Sequence, residues 1–259
     1  MAFSKDPNTA RVPASLTKLM TAVVARQWVN DASLDTAVTV TVDDDPAGPG
    51  AGGVALGDIV TYRDLFYLMM MTSRDDATHC LARNVGQLII DGTGTGSTDP
   101  YTRFVEEMNN QAAILGATES IFYDTGGSDI NNRMSVTDVE MLMTIISEDA
   151  FVTLAAGTME YTVTTLNGSP RIFNAVNLFD PTGLTQPDPR VVTGFAFPEH
   201  VANKYGILAE SGYCMAIIWD MPNGTRRITT VMGAADDTEL KKDLRTLMNY
   251  EIALAGDLP

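Results

Sequence analysis

The 259-residue chain has only two cysteines, Cys80 and Cys214, and two histidines, His79 and His200. Two cysteines so far apart form neither a metal cluster nor a disulfide framework, so they read as buried thiols whose pairing the sequence leaves open. The histidines sit in no metal or triad pattern and no Gly-x-Ser-x-Gly occurs, which argues against a Ser-His-Asp hydrolase and leaves no residue set calling for a metal or cofactor. Cations are scarce as well. Lys and Arg number 17 against 33 Asp and Glu, and a formal charge of -16 repels nucleic acid and anionic lipid. No apolar run approaches the roughly 18 to 20 residues that cross a bilayer, and Met1-Ala2-Phe3-Ser4-Lys5 has no apolar signal core. The expectation is a soluble protein or a chain stripped of its export signal. Gly92-Thr93-Gly94-Thr95-Gly96 lacks the following Gly-Lys-[Ser/Thr] of a nucleotide loop and reads as a flexible turn.

What is present is enough apolar material, 45% of the chain, for a substantial core. Pro13 precedes a helical pattern from Ser15 to about Val29, carried by Leu16, Leu19, Met20, Val23 and Val24. The alternation Ala37 to Val42 predicts a strand and Asp43 to Gly53 a loop. Two helices, Tyr62 to Met71 and about Asp75 to Gly86, meet at Thr72-Ser73-Arg74. After a loop from Gly92 to Pro100, residues 101–116 and 136–148 are again helical. Segments 160–166, 171–177, 213–220 and 226–233 are β-rich, and Glu239 to Leu254 closes as an amphipathic helix. This order predicts an α+β fold, a single domain over 1–259 with a helical subdomain inserted at roughly 58–150.

Three short elements could carry chemistry. Pro13-Ala14-Ser15-Leu16-Thr17-Lys18 contains Ser-x-x-Lys at a helix start, and three residues of helix rotate a side chain by roughly 300°, so the Ser15 and Lys18 heads can meet. A desolvated lysine there can lose its proton and act as base toward the serine, while the positive helix end favours the alkoxide. Ser73-Arg74-Asp75 stands between two helices as a Ser-x-Asn element does, and Lys204-Tyr205-Gly206 leads into a β segment as Lys-[Ser/Thr]-Gly does. Val192-Thr193-Gly194 is the rival third element; it keeps Thr and Gly but lacks the lysine.

In this order and context, the elements resemble those of the serine D-alanyl-D-alanine carboxypeptidases, the low-molecular-mass penicillin-binding proteins. The resemblance runs from Pro13 to Thr21, through Gly57-Asp58, Val60-Thr61 and Ser73 to Ala77, to Phe104–Gly116 and Ser135–Ile146. The register Glu210-Ser211-Gly212-Tyr213 after Lys204 favours that lysine over the rival. The resemblance implies the penicillin-binding-protein transpeptidase or serine β-lactamase-like fold, an antiparallel sheet flanked by helices. It also implies Ser15 as nucleophile, Lys18 as general base, Ser73 as proton relay and Lys204 on the substrate carboxylate. Tyr205, Gly206 and Ile207 would bind substrate, with the Ser15 and Ile207 N–H groups as oxyanion hole. The implied partners are a peptidoglycan pentapeptide and β-lactams, met outside the cytoplasmic membrane, in the periplasm or at the cell surface.

The chain departs from the family in several places. Asp75 stands where the family has Asn, and a carboxylate there favours the charged form of Lys18 over the amine. Tyr205 replaces Ser or Thr, and Gly233-Ala234-Ala235-Asp236-Asp237 lacks the family's Arg. Of the family's leading β-hairpin only the second strand, near Ala2 to Lys5, is expected, with no C-terminal β domain or membrane anchor after Pro259. The departures leave room for a catalytically impaired homologue that binds cell-wall peptides. A β-lactamase or esterase of the same fold is the further alternative, although Glu160 and Asn167 stand seven apart where a deacylating pair needs three.

Overall fold

The computed structural model describes residues 3–45, 48, 53–178 and 200–255. Its architecture is organised around one helix. A 3-10 turn over Ala14–Thr17 leads into α1 (Lys18–Trp28), in which every residue from Lys18 to Ala25 is buried. A stretch of helix buried on every side belongs inside a core, and Leu19, Met20, Val23 and Val24 sit in the main apolar cluster. Helices α2 (Tyr62–Met71), α3 (Asp75–Thr93), α4 (Pro100–Leu115) and α5 (Val136–Glu148) pack against α1, and α6 (Ala150–Gly157) packs on α2 and α5.

Local sequence sets most helix ends. Thr61 and Asp64 cap α2 reciprocally, Asp99 caps α4 with Pro100 at its first position, and Ser135 caps α5. Gly94 and Gly116 take the left-handed conformation that ends α3 and α4.

The main sheet is antiparallel, in the order β5 (His200–Leu208), β6 (Gly212–Asp220), β7 (Arg226–Ala234). Two shorter antiparallel pairs join β1 (Ala37–Thr39) to β2 (Ile59–Thr61) and β3 (Glu160–Thr164) to β4 (Ile172–Val176). The central strand β6 is buried on both faces. Cys214, Ala216 and Ile218 join the cluster around α1, while Met215, Ile217 and Trp219 pack with Leu240, Leu244 and Met248 of α7 (Asp237–Leu254). Because side chains alternate along a strand, Lys204 and Gly206 of β5 face α1 together with Ala202, whereas Tyr205 belongs to the α7 cluster.

Some sequence expectations are corrected. The strand at Ala37–Val42 stops at Thr39, since Asp44 accepts from the Thr41 N–H at 2.7 Å and turns Val42–Asp44 into a 3-10 turn. Helix α3 runs on to Thr93, so the expected loop begins only at Gly94. The short elements β2 and α6 were not anticipated, and Lys204 lies within β5 rather than ahead of a strand. Phe3 to Lys5 form no strand; instead the Phe3 ring meets Tyr250 edge-on at 6.0 Å, and Ala2 is outside the described residues. The rival element Val192–Gly194 is also outside them.

Helices α3 and α4 meet backbone to backbone, because a Cβ on Gly86 would stand 1.8 Å from the Pro100 carbonyl oxygen. Alanine is a better helix former than glycine by about 1 kcal/mol. Even so, Gly86→Ala is expected to destabilise the protein by about 1 to 3 kcal/mol. The check is urea unfolding, with a lower midpoint at unchanged slope.

Candidate active site

Ser15 sits in the 3-10 turn before α1, preceded by Ala14 in the left-handed region at φ 47°. Such a conformation costs a non-glycine residue about 1 to 3 kcal/mol and persists only where the surroundings enforce it. Two glycines supply that enforcement. A Cβ on Gly127, itself at φ 94°, would stand 1.9 Å from the Ala14 carbonyl oxygen, and one on Gly206 of β5 would stand 2.8 Å from the Ser15 backbone nitrogen. The Ser15 turn is thus gripped between a loop on one side and the sheet on the other.

Lys18 begins α1 and is fully buried. Its Nζ donates to Asp75 Oδ1 at 2.6 Å and to the Gly126 carbonyl at 2.6 Å, and lies 3.1 Å from Ser15 Oγ. Asp75 is the first residue of α3, where the positive helix end favours a carboxylate. Its side chain is about half exposed (48%), and Ser128 Oγ donates to its second oxygen at 3.2 Å. Partial burial pushes its pKa up, but the Lys18 charge and hydrogen bond, aided by His79 and Ser128, outweigh this and hold the carboxyl below its ordinary range. Asp75 is therefore ionised at neutral pH.

Ser73 occupies the hinge between α2 and α3, also left-handed at φ 55°. Lys204 Nζ donates to Ser73 Oγ at 2.8 Å and to the Tyr205 carbonyl at 3.1 Å, and the side chain is 1% exposed. Burial, reinforced by the nearby Lys18 charge and only partly offset by Asp75, holds its pKa well below the usual lysine range. Two buried lysines thus share one carboxylate, and the one farther from it is biased toward the neutral amine.

The structure brings Ser15, Lys18, Ser73, Asp75, Lys204 and Gly206 together. Lys204 donates to Ser73 and to a backbone carbonyl. Strand alternation turns the Tyr205 ring to the α7 face, 6.4 Å from that of Tyr213, while its carbonyl accepts from Lys204. Ile207 is half exposed beyond Gly206 on β5. Arg74 pairs with Asp76 at 2.7 Å rather than with Asp75. Asn167 bonds the Ile59 N–H and the Gly57 carbonyl, a structural task far from that of a deacylating amide. Cys80 and Cys214 are both free and buried, and burial raises both thiols above their ordinary range. Sequence reasoning missed Gly126, Gly127 and Ser128. Their only signal was a Gly-Gly pair in a polar loop.

Comparison with known proteins places this geometry. The family model described as D-alanyl-D-alanine carboxypeptidase matches residues 2–235. A D-alanyl-D-alanine carboxypeptidase of a Streptomyces species is 26% identical over 97% of this chain and 82% of its own length. A D-alanyl-D-alanine endopeptidase of Escherichia coli is 28% identical over 54% of this chain and 41% of its own. Among solved structures, a Streptomyces DD-transpeptidase superposes with a TM-score of 0.79 at 24% identity, covering 97% of this chain and 92% of that one. A D-alanyl-D-alanine carboxypeptidase of Mycobacterium tuberculosis gives 0.73 at 20% identity, covering 96% of this chain and 84% of that one. With a serine and a buried lysine in contact at the head of the core helix, and a family match across most of its length, the chain belongs to the D-alanyl-D-alanine carboxypeptidase family.

Proposed function

We propose that the protein is a serine D-alanyl-D-alanine carboxypeptidase that removes the terminal D-Ala of peptidoglycan stem pentapeptides outside the cytoplasmic membrane and is trapped by β-lactams. The observation that carries this reading is the pairing of two serine–lysine contacts, Lys18 with Ser15 at 3.1 Å and Lys204 with Ser73 at 2.8 Å. In the forward step Ser15 Oγ attacks the carbonyl of the penultimate D-Ala and its proton passes to the Lys18 amine. The tetrahedral oxyanion is received by the N–H groups of Ser15 and Ile207, each worth about 3 to 4 kcal/mol in reactions of this kind. Ser73, held by Lys204, relays the proton that Lys18 took from Ser15 to the departing D-Ala amine, giving up its own hydroxyl proton and taking the one from Lys18. Water then attacks the acyl-enzyme, its proton passes to the Lys18 amine, and Lys18 returns that proton to Ser15 Oγ as the ester bond breaks.

A second reading, an impaired homologue that binds cell-wall peptides, is favoured by one contact, the 2.6 Å ion pair of Lys18 with an ionised Asp75. The base must be an amine, and an adjacent carboxylate stabilises the ammonium instead.

Two measurements decide between the readings. Intact-mass spectrometry is expected to find one penicillin-derived acyl group on the protein and none on Ser15→Ala; a mass gain on that variant sinks the assignment of the nucleophile. For Asp75→Asn, loss of the charge should move the rising limb of acylation to lower pH. The rate at pH 7 is then expected to rise about tenfold, equivalent to about 1.4 kcal/mol in the barrier. Acylation rates at several pH values check this, and a variant slower at every pH would give the carboxylate a catalytic role of its own.

A further inference from the structure

The reading of Lys18 as a base places a demand on the loop after α4. A neutral amine has two N–H bonds and one lone pair. At Lys18 the carboxylate of Asp75 and the carbonyl of Gly126, each at 2.6 Å, can only accept. If they take both N–H bonds, the lone pair is left facing Ser15 Oγ at 3.1 Å, which is where the serine proton must go. If either acceptor is removed, the amine is free to turn that lone pair elsewhere.

Asp75 is held by a helix, but Gly126 lies in a stretch between the bridge residues Ile121 and Arg133 that has no helix or strand of its own. Two polar side chains give that stretch its shape. Asp124 Oδ1 accepts from the Gly127 N–H at 2.7 Å and from Asn132 Nδ2 at 2.6 Å, and Asp124 Oδ2 accepts from the Asp129 N–H at 2.7 Å. Asn132 is fully buried; its Oδ1 accepts from the Tyr123 N–H at 2.7 Å, and its Nδ2 also reaches Thr17 Oγ1 at 3.4 Å, one residue before Lys18. Thr21 of α1 donates to the Thr125 carbonyl at 2.7 Å, which ties the same stretch to the core helix.

We propose that Asp124 and Asn132 are positioning residues for acylation, a clasp that holds the Gly126 carbonyl where it directs the Lys18 amine at Ser15. The inference rests on the serine-acylation reading given above. Neither residue needs to touch substrate. Their effect belongs to the rate of the covalent step, not to the affinity of the first complex.

The experiment is stopped-flow acylation by a fluorescent penicillin over a range of concentrations, which separates the dissociation constant of the initial complex from the rate constant of acylation. The variants are Asp124→Asn, which sets a donor against the Asp129 N–H, and Asn132→Ala, with Glu119→Ala as a control, an exposed residue ahead of the clasped stretch. Asp124→Asn and Asn132→Ala are expected to slow acylation by tenfold or more in the molecules that do label, with the initial dissociation constant changed by less than twofold. Glu119→Ala should match the parent. A merely structural role would reduce the fraction that labels and leave the rate constant of that fraction unchanged, and that result overturns the proposal. If Asn132→Ala does not fold, the nearly isosteric Asp124→Asn decides alone. Parent protein that takes up no penicillin at Ser15 defeats the underlying reading, whereas labelled parent with equally fast variants defeats only the clasp.

Discussion

The site depends on a lysine side chain carried into the interior by a helix whose first eight residues are all buried. Lys18 is fully buried because that part of α1 is, and a buried amine is tolerable only with its protons taken up by nearby acceptors. Asp75, the Gly126 carbonyl and Ser15 are those acceptors. They come from three distant stretches of chain, so meeting the needs of one side chain fixes where α3, the loop after α4 and the nucleophile turn must meet. The same contacts that make Lys18 bearable make it directional.

The second lysine follows from the first. Among the described residues Lys204 pairs with no carboxylate, and burial and the Lys18 charge both act against its ammonium. With one carboxylate beside them, the two lysines meet different partners: the one paired with Asp75 lies against Ser15 and the other against Ser73. That division is a property of Asp75, since an amide at that position would give neither lysine a counter-charge.

Much of this was legible in the sequence where it lay in local spacing. Ser15 and Lys18 are one helical turn apart, Ser73 falls between two periodic segments, and the caps Thr61, Asp99 and Ser135 announce their helices. Lys204 could be read from its register with the residues that follow it. Tyr205 could not be placed that way, because likeness of letters says nothing about which face of a strand a side chain takes, and the alternation about Lys204 sends it to α7. Gly126 was invisible for a different reason. Its contribution is a carbonyl oxygen, which every residue possesses, and its partner lies 108 positions away. The strand read at Ala37–Val42 failed beyond Thr39, where a side-chain cap from Asp44 overrode the alternation.

Both serines of the site stand at left-handed backbone that is not glycine: Ala14 just before Ser15, and Ser73 itself. Glycine takes this conformation without steric cost, so the chain carries strain at two points where a neutral substitution would relieve it. Relief at Ala14 would let the nucleophile turn sample other shapes, and at Ser73 it would remove the hydroxyl. A search for stabilised variants by melting temperature alone would therefore tend to select against the reactive geometry at these two positions, and thermostability and reactivity should trade against each other there.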